Sequence, residues 1–178
     1  SAGAVTSSRY ANASTDFVMR ATITRPTTPP TPSAPQREAF TTRVVLNAAA
    51  GLRCRLGALN CSSDLPESRV YWELRRATQQ IVLVREDAVA QRIELKSDPY
   101  TPPDPNASSN VTLIRRGTFF LLYLDQDAAG RDAAPDAYVD HPFFDIDCTR
   151  FSVGGSEPAS VQAGIELTGD ADTVSAFS

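Results

Sequence analysis

Four asparagines of this 178-residue chain stand in Asn-x-Ser/Thr acceptor sites for N-linked sugar: Asn12, Asn60, Asn106 and Asn110. The fifth asparagine, Asn47, lies outside such a site. Ser and Thr make up 32 of the 178 residues, so chance places an asparagine in a sequon about one time in five. Four sequons among five asparagines are then expected by chance roughly once in two hundred chains. We predict glycosylation at these four asparagines, and hence a secreted or extracellular-surface protein.

The acidic loop 125–136 is a second place where chemistry could occur. Its carboxylates and its glycine at the sixth position resemble a calcium-binding loop, in which hard oxygen donors surround the cation. The carboxylates are those of Asp125, Asp127, Asp132 and Asp136. However, Ala129 stands at position five, where a side-chain ligand is needed, and position twelve is Asp136 instead of the usual bidentate glutamate. We therefore expect a solvated turn, with calcium as the alternative and no other cofactor.

His141 and Cys148 could in principle act as a general base and a nucleophile. His141 precedes Pro142, however, and a residue before proline is held in an extended conformation. Phe144, Ile146 and Cys148 alternate with two aspartates, as the inward-facing residues of a strand do. We predict a structural segment here, no catalytic residues and no enzyme, with a hydrolase centred on His141 and Cys148 as the competing hypothesis.

Three cysteines, Cys54, Cys61 and Cys148, are the disulfide candidates. In an oxidising compartment one pair forms and leaves an odd thiol or an intermolecular bridge. The sequence leaves the pairing open among all three. A zinc site is not expected, because His141 is the only histidine and no CxxC motif is present.

From about residue 40 onward the sequence predicts β-strands, and these strands must position the residues named above. Seven segments rich in β-branched and aromatic residues are separated by turn residues. They are 41–46, 70–75, 80–85, 91–96, 110–115, 118–124 and 161–167. Ile93 and Leu95 alternate with polar residues, which predicts a half-buried strand. The sequence predicts an all-β fold, a two-sheet antiparallel sandwich spanning 41–170.

Residues 1–40 are expected to form an extended arm of low complexity, and 171–178 a tail. The segment 25–35 is rich in Pro, Ser and Thr, which favours a polyproline II spacer. The alternating segment 16–24 before it could pair with the sheet of a neighbouring subunit. The commoner outcome is that such a strand folds back onto its own domain.

Composition excludes two classes of partner. The formal net charge is −4, so no basic surface for nucleic acid is expected. The longest apolar run, 119–124, is far shorter than the roughly 20 residues that a membrane helix needs. No nucleic-acid partner and no membrane span in this chain are predicted.

Two resemblances follow from these residues. The stretch from Cys54 through Trp72 to Tyr123 is loosely similar to immunoglobulin-type domains. The spacer 25–35, together with the preference for arginine over lysine, resembles cell-surface and extracellular-matrix glycoproteins of volvocine green algae. That resemblance implies hydroxyproline-rich, O-glycosylated spacers and a structural role in walls or ciliary surfaces. Envelope glycoproteins of GC-rich herpesviruses share the same style of sequence.

The leading functional hypothesis is therefore a non-enzymatic module with a structural or adhesive role in an extracellular assembly. It would carry N-linked and O-linked glycans and contact protein partners, including copies of itself. The alternative is a receptor- or carbohydrate-binding ectodomain, including that of a viral envelope glycoprotein. The alternative predicts an exposed aromatic cluster that uses Tyr100, Tyr138 or Phe143.

Overall fold

The structure, a computed structural model, is an antiparallel β-sandwich. The residues that it describes are 7–13, 16–24, 41–48, 53–54, 61–62, 69–76, 78–86, 92–101, 108–125, 134–140, 142, 161–168 and 173–178. Within them, six strands form one sheet, sheet A. Their spatial order is β1 (Ser7–Ala13), β12 (Val161–Thr168), β3 (Thr41–Ala48), β6 (Arg69–Arg75), β7 (Gln80–Glu86) and β8 (Arg92–Pro99).

Five further strands form the second sheet, sheet B. Their spatial order is β11 (Ala137–Asp140), β10 (Phe119–Leu124), β9 (Ser109–Arg116), β2 (Asp16–Thr24) and β13 (Thr173–Phe177). A separate two-stranded ribbon pairs β4 (Arg53–Cys54) with β5 (Cys61–Ser62). The prediction of an all-β, two-sheet antiparallel sandwich is confirmed. The six-plus-five division of strands differs from the seven or nine strands of immunoglobulin domains.

The core lies between the inner faces of the two sheets. Alternate residues of each strand point inward; Val44 and Trp72 of sheet A, for example, belong to the same cluster as Leu113 and Phe120 of sheet B. Trp72 is 1% exposed and is an anchor of this core. Burying a large side chain of this kind contributes about 1.5–3 kcal/mol.

Arg115 ties the two sheets together at one end of this core. It lies on β9 of sheet B and is buried. Its Nη1 donates to the carbonyl of Ala13 on β1 of sheet A at 3.0 Å, and its Nε donates to the carbonyl of Gly117 at 3.0 Å. The guanidinium also lies 5.1 Å from the ring centre of Phe120. Gly117, whose φ is +60°, forms the turn between β9 and β10, a conformation that glycine adopts without steric cost.

The predicted domain boundaries at 40 and 171 are wrong. β1 and β2 precede residue 40, yet they pair with β12 and β9 and belong to the sandwich. Met19, Ala21 and Ile23 of β2 are buried in the core, and this burial explains why the strand folds back onto its own domain. Residues 173–177 of the predicted tail form β13, which pairs with β2. The spacer 25–35 lies outside the described residues.

The expectation of a half-buried strand at 91–96 is also wrong. β8 is an edge strand whose pattern is almost wholly exposed, with Ile93 39% and Leu95 49% accessible. Its lysine and its terminal proline are residues that discourage pairing with another chain at a sheet edge.

Among the described residues, no helix has the length and apolar character to cross a membrane.

Candidate functional site

The outer face of sheet A has an apolar middle. Its central row runs across all six strands in register: Tyr10, Gly164, Val45, Tyr71, Val84 and Glu94. These residues point away from the core because their strand neighbours, such as Trp72, point into it. Val45, Tyr71 and Val84 form a second buried cluster together with Val82.

Ion pairs that span two strands cross this apolar middle. Arg69 on β6 reaches past β3 to Glu166 on β12, and its Nη2 donates to both carboxylate oxygens, at 2.7 Å to Oε2. Arg92 on β8 reaches past β7 to Glu73 on β6, at 3.1 Å to each oxygen. The two pairs therefore pass over the outward-facing side chains of β3 and β7.

The ion-paired side chains on this face form a charged layer, which comprises Arg43, Arg69, Arg75, Arg92, Glu73, Glu94 and Glu166. Glu73 lies at the centre of this layer. Its carboxylate accepts hydrogen bonds from Arg43 Nε at 3.0 Å and from Arg75 Nε at 2.9 Å, in addition to that from Arg92. Burial alone raises the pKa of this carboxyl, but the three guanidinium groups outweigh it, and the net pKa lies below the ordinary value of 4.5. Arg75 also donates to Glu94 at 2.6 Å, so the layer extends to the edge of the sheet.

Tyr71 lies beneath the arginines. The guanidinium carbons of Arg43, Arg69 and Arg92 lie 4.7, 5.5 and 5.8 Å from its ring centre, within the range of cation–π attraction. The ring is 0% exposed, and burial raises the pKa of its hydroxyl. Tyr71 therefore supports the charged layer and offers no ring face to a ligand.

Tyr10, at the β1 edge of the same face, is the exposed aromatic residue. Its ring packs against Gly164, its partner on β12: a Cβ on Gly164 would lie 2.3 Å from Tyr10 Cδ1. Its hydroxyl donates to Glu166 Oε2 at 2.6 Å. The residue is nevertheless 39% exposed. Burial of the hydroxyl, followed by its bond to Glu166, raises its pKa well above the ordinary value of 10. Tyr10 is thus fixed at its two ends with ring surface open to solvent.

Together, Tyr10, Glu166 and Arg69 combine an aromatic ring with paired hydrogen-bonding groups. Arg69 retains 28% side-chain exposure, whereas Glu166 retains 4%. A guanidinium has five N–H donors, so the partly exposed Arg69 can donate to a ligand as well as to Glu166, whereas the buried Glu166 fixes the position of Arg69. The arrangement suits a ligand that carries both an apolar face and hydroxyl groups.

The structure places two of the four sequon asparagines. Asn12 is exposed on β1, and Asn110 is exposed at the start of β9. Thr22 Oγ1 donates to Asn110 Oδ1 at 3.0 Å. Asn60 and Asn106 lie outside the described residues, and glycosylation at all four positions stays a prediction.

Two carboxylates of the predicted calcium loop have structural hydrogen bonds. Asp125 Oδ1 accepts from the backbone N–H of Asn110 at 2.9 Å, and Asp136 Oδ2 accepts from that of Leu124 at 2.7 Å. Asp127 and Asp132 lie outside the described residues. Over the part of the chain that the structure describes, no three His, Cys, Asp or Glu side chains group closely enough to hold a metal ion.

The structure describes two of the three cysteines that the sequence offers as disulfide candidates. Cys54 and Cys61 lie directly opposite each other on β4 and β5. Cys148 lies outside the described residues, as does His141. The competing catalytic pair of His141 and Cys148 therefore stays a hypothesis.

Of the aromatic residues predicted for a binding cluster, the structure describes Tyr100 and Tyr138, and only Tyr138 of these two is exposed. Tyr100 is buried, at 8% exposure, because its backbone N–H is held by the carbonyl of Gln79 and its ring joins the core. Tyr138 is 49% exposed on β11 of sheet B, where Lys96 Nζ lies 4.4 Å from its ring centre. Phe143 lies outside the described residues.

Tyr10 was not predicted as a site residue. The low-complexity composition around it gives no clear strand pattern, and the one available signal was its place among alternating small residues.

Comparison with known proteins gives only distant structural similarity. No protein-family model matches the chain, and no curated protein matches it. A complex of sheep galectin-11 with glycerol has a TM-score of 0.48 at 6% identity, covering 96% of this chain and 94% of that one. Chicken galectin 2 has a TM-score of 0.44 at 10% identity, with coverages of 90% and 87%. The carbohydrate-binding module CBM66 from Bacillus subtilis has a TM-score of 0.42 at 11% identity, with coverages of 97% and 82%.

Proposed function

We propose that this chain is a non-enzymatic carbohydrate-binding module of a secreted or cell-surface glycoprotein. The saccharide would bind on the outer face of sheet A against Tyr10. The observation that carries the proposal is the position of Tyr10, whose side chain is held between Gly164 and Glu166 while the residue as a whole is still 39% exposed.

The ring of Tyr10 would contact the apolar face of a sugar. The C–H groups on one side of a pyranose ring form a flat apolar surface, and the face of an aromatic ring carries partial negative charge that attracts C–H hydrogens. A fixed ring loses little conformational freedom when a ligand binds. Because Gly164 and Glu166 already hold Tyr10, the entropy cost of binding is small.

Arg69, which retains 28% side-chain exposure, would bind the hydroxyl groups, and the buried Glu166 would hold Arg69 in place. A guanidinium donates to hydroxyl oxygens, and hydrogen bonds to charged groups are about twice as strong as neutral ones. The pair is oriented before the ligand arrives, since Arg69 Nη2 donates to both oxygens of Glu166. Two further arginines of the charged layer are partly exposed, Arg75 and Arg92, and would extend the contact surface along a longer saccharide.

A carbohydrate-binding face also provides a physical basis for the adhesive role predicted from the sequence. A module that binds glycans on neighbouring molecules connects those molecules without any enzymatic step. Extracellular localisation rests on the sequons, and the structural or adhesive role rests on this proposed binding.

The test is saccharide binding by unglycosylated protein from a bacterial host. A glycan array identifies a binding saccharide, and calorimetry then compares wild type with Tyr10→Ala, Tyr10→Phe and Tyr138→Ala. We expect Tyr10→Ala to weaken binding at least ~10-fold, equivalent to about 1.4 kcal/mol, and Tyr10→Phe to weaken it less. Tyr138→Ala removes a tyrosine of sheet B that is 49% exposed, and this variant should bind as wild type does.

Circular dichroism confirms that each variant is folded. Wild-type affinity in the Tyr10→Ala variant would overturn the proposed site. Failure of the wild type to bind any saccharide on the array would overturn the proposed function.

A further inference from the structure

Asn12 and Tyr10 lie on the same strand and the same face. They are two residues apart on β1, so both side chains point outward from sheet A, about 7 Å apart along the strand. The partner of Asn12 on β12 is Gln162, and both residues are exposed. The Asn12 side chain is therefore accessible on the outer face of sheet A.

Asn12 is also the first residue of an Asn-x-Ser sequon. In a secretory pathway the amide Nδ2 attacks the anomeric carbon of a lipid-linked oligosaccharide diphosphate. The C–N bond forms, the bond from the sugar to the diphosphate breaks, and the amide loses one proton. The product is a bulky, polar substituent on a surface residue.

We propose that Asn12 is N-glycosylated and that its glycan covers Tyr10, so that occupancy of this one sequon controls access to the saccharide site. This inference rests on the proposed function. A sugar attached two residues from Tyr10 meets the same ring and the same Arg69 guanidinium that an external saccharide would meet. It is held there covalently and need not bind tightly to compete.

The size of the effect follows from effective concentration. A group attached through a short flexible link is present at its neighbouring site at an effective concentration in the millimolar range. If the attached glycan itself binds the site more weakly than this, an external saccharide loses little affinity, whereas an attached glycan with a dissociation constant of about 0.1 mM weakens external binding roughly tenfold. The bulk of the glycan obstructs external ligands in addition.

Asn110 provides a matched control. It is also a sequon asparagine and is also exposed, but it lies on β9 of sheet B. A glycan at Asn110 leaves the outer face of sheet A uncovered, and removing it should not change saccharide binding there.

The experiment compares wild type, Asn12→Gln and Asn110→Gln, each secreted from a eukaryotic host. Peptide mass mapping measures sugar at Asn12, and calorimetry uses the saccharide selected on the array by unglycosylated protein. We expect Asn12 to be occupied in the wild type and Asn12→Gln to bind roughly tenfold more tightly. Asn110→Gln should bind as the wild type does.

An unmodified Asn12, or equal affinities of wild type and Asn12→Gln, overturns this inference while leaving the proposed function in place. If Asn12→Gln and the bacterial protein bind no saccharide, the proposed function fails and this inference fails with it. The three outcomes are distinguishable because occupancy and affinity are measured separately.

Discussion

The ring of Tyr10 occupies the space that a side chain at position 164 would need. A Cβ built on Gly164 would lie 2.3 Å from Tyr10 Cδ1 and 2.4 Å from the carbonyl oxygen of Arg9. The first atom can move with its side chain, whereas the second belongs to the backbone of β1. The absence of a side chain at position 164 is therefore what lets Tyr10 lie flat against sheet A.

Gly164→Ala should destabilise the protein and displace Tyr10. We expect a loss of about 1–3 kcal/mol in the free energy of unfolding, the usual cost of overpacking, measured by urea denaturation. The double variant Gly164→Ala/Tyr10→Ala should recover part of this loss, since only the contact with Arg9 remains. Gln162→Ala, an exposed position on the same strand, should change stability by less than about 0.5 kcal/mol. Equal losses in the single and double variants would show that the Tyr10 ring does not pack against Gly164.

Removing one partner of the Arg69–Glu166 pair should lower the free energy of unfolding more than replacing both partners with uncharged residues. Glu166 is 3% exposed, so Arg69→Met leaves a buried carboxylate without its main cation. Loss of one partner of a buried pair costs about 3–5 kcal/mol. We expect about 2–3 kcal/mol here, because Arg69 is partly exposed and water screens part of the charge.

The double variant Arg69→Met/Glu166→Gln should be more stable than Arg69→Met alone, because the uncompensated charge is removed. Thermal and urea unfolding measure both variants. A double variant that is less stable than either single variant would contradict this view of the pair.

Stability should fall in acid through Glu73. Burial raises its pKa, the three arginines lower it more, and the net folded pKa lies below 4.5. A depressed carboxyl pKa stabilises the fold above the unfolded value, and that contribution is lost as pH falls through the folded pKa. Glu73→Gln should therefore lose stability relative to wild type at pH 7 and have a shallower decline below about pH 4.5. Unfolding free energies measured from pH 7 to pH 3 test this; parallel profiles would falsify it.

The sandwich could be predicted from the sequence because its buried strands have a recognisable local sequence pattern. β6, β7, β9, β10 and β12 carry β-branched and aromatic residues on their inward faces, and period-two alternation is a local signal. β1 could not be predicted in this way. Its residues are small and polar, and its pairing with β12 depends on Gly164, 154 positions away from Tyr10 in the chain.

The candidate site could not be predicted for the same reason. Arg69 and Glu166 are 97 positions apart and meet only because β3 lies between their strands. In the sequence each is one more charged residue of a strand. The sequence predicted an exposed aromatic cluster at Tyr100, Tyr138 or Phe143, but burial decides which aromatic residue is available, and burial is a property of the tertiary fold. Tyr100 and Tyr138 show the two outcomes, one buried and one exposed.

The ribbon β4–β5 predicts the disulfide that the sequence left open. Cys54 and Cys61 are cross-strand partners, and partners in an antiparallel pair have Cα atoms about 4.5–5.5 Å apart. That separation lies within the range for a disulfide. We expect non-reducing peptide mapping to find a Cys54–Cys61 bridge, with Cys148 as the odd thiol. A bridge from Cys148 to either residue would contradict it.

Residue-resolved NMR tests the central claim most directly. Isotope-labelled, unglycosylated protein is titrated with the saccharide selected on the array, and backbone amide shifts are followed for both sheets. We predict that the shifts concentrate at Tyr10, Gly164, Glu166 and Arg69, and that Leu121 and Tyr138 of sheet B do not change. Shifts confined to sheet B, or a saccharide that perturbs no residue of the outer face of sheet A, would contradict a carbohydrate-binding site at Tyr10.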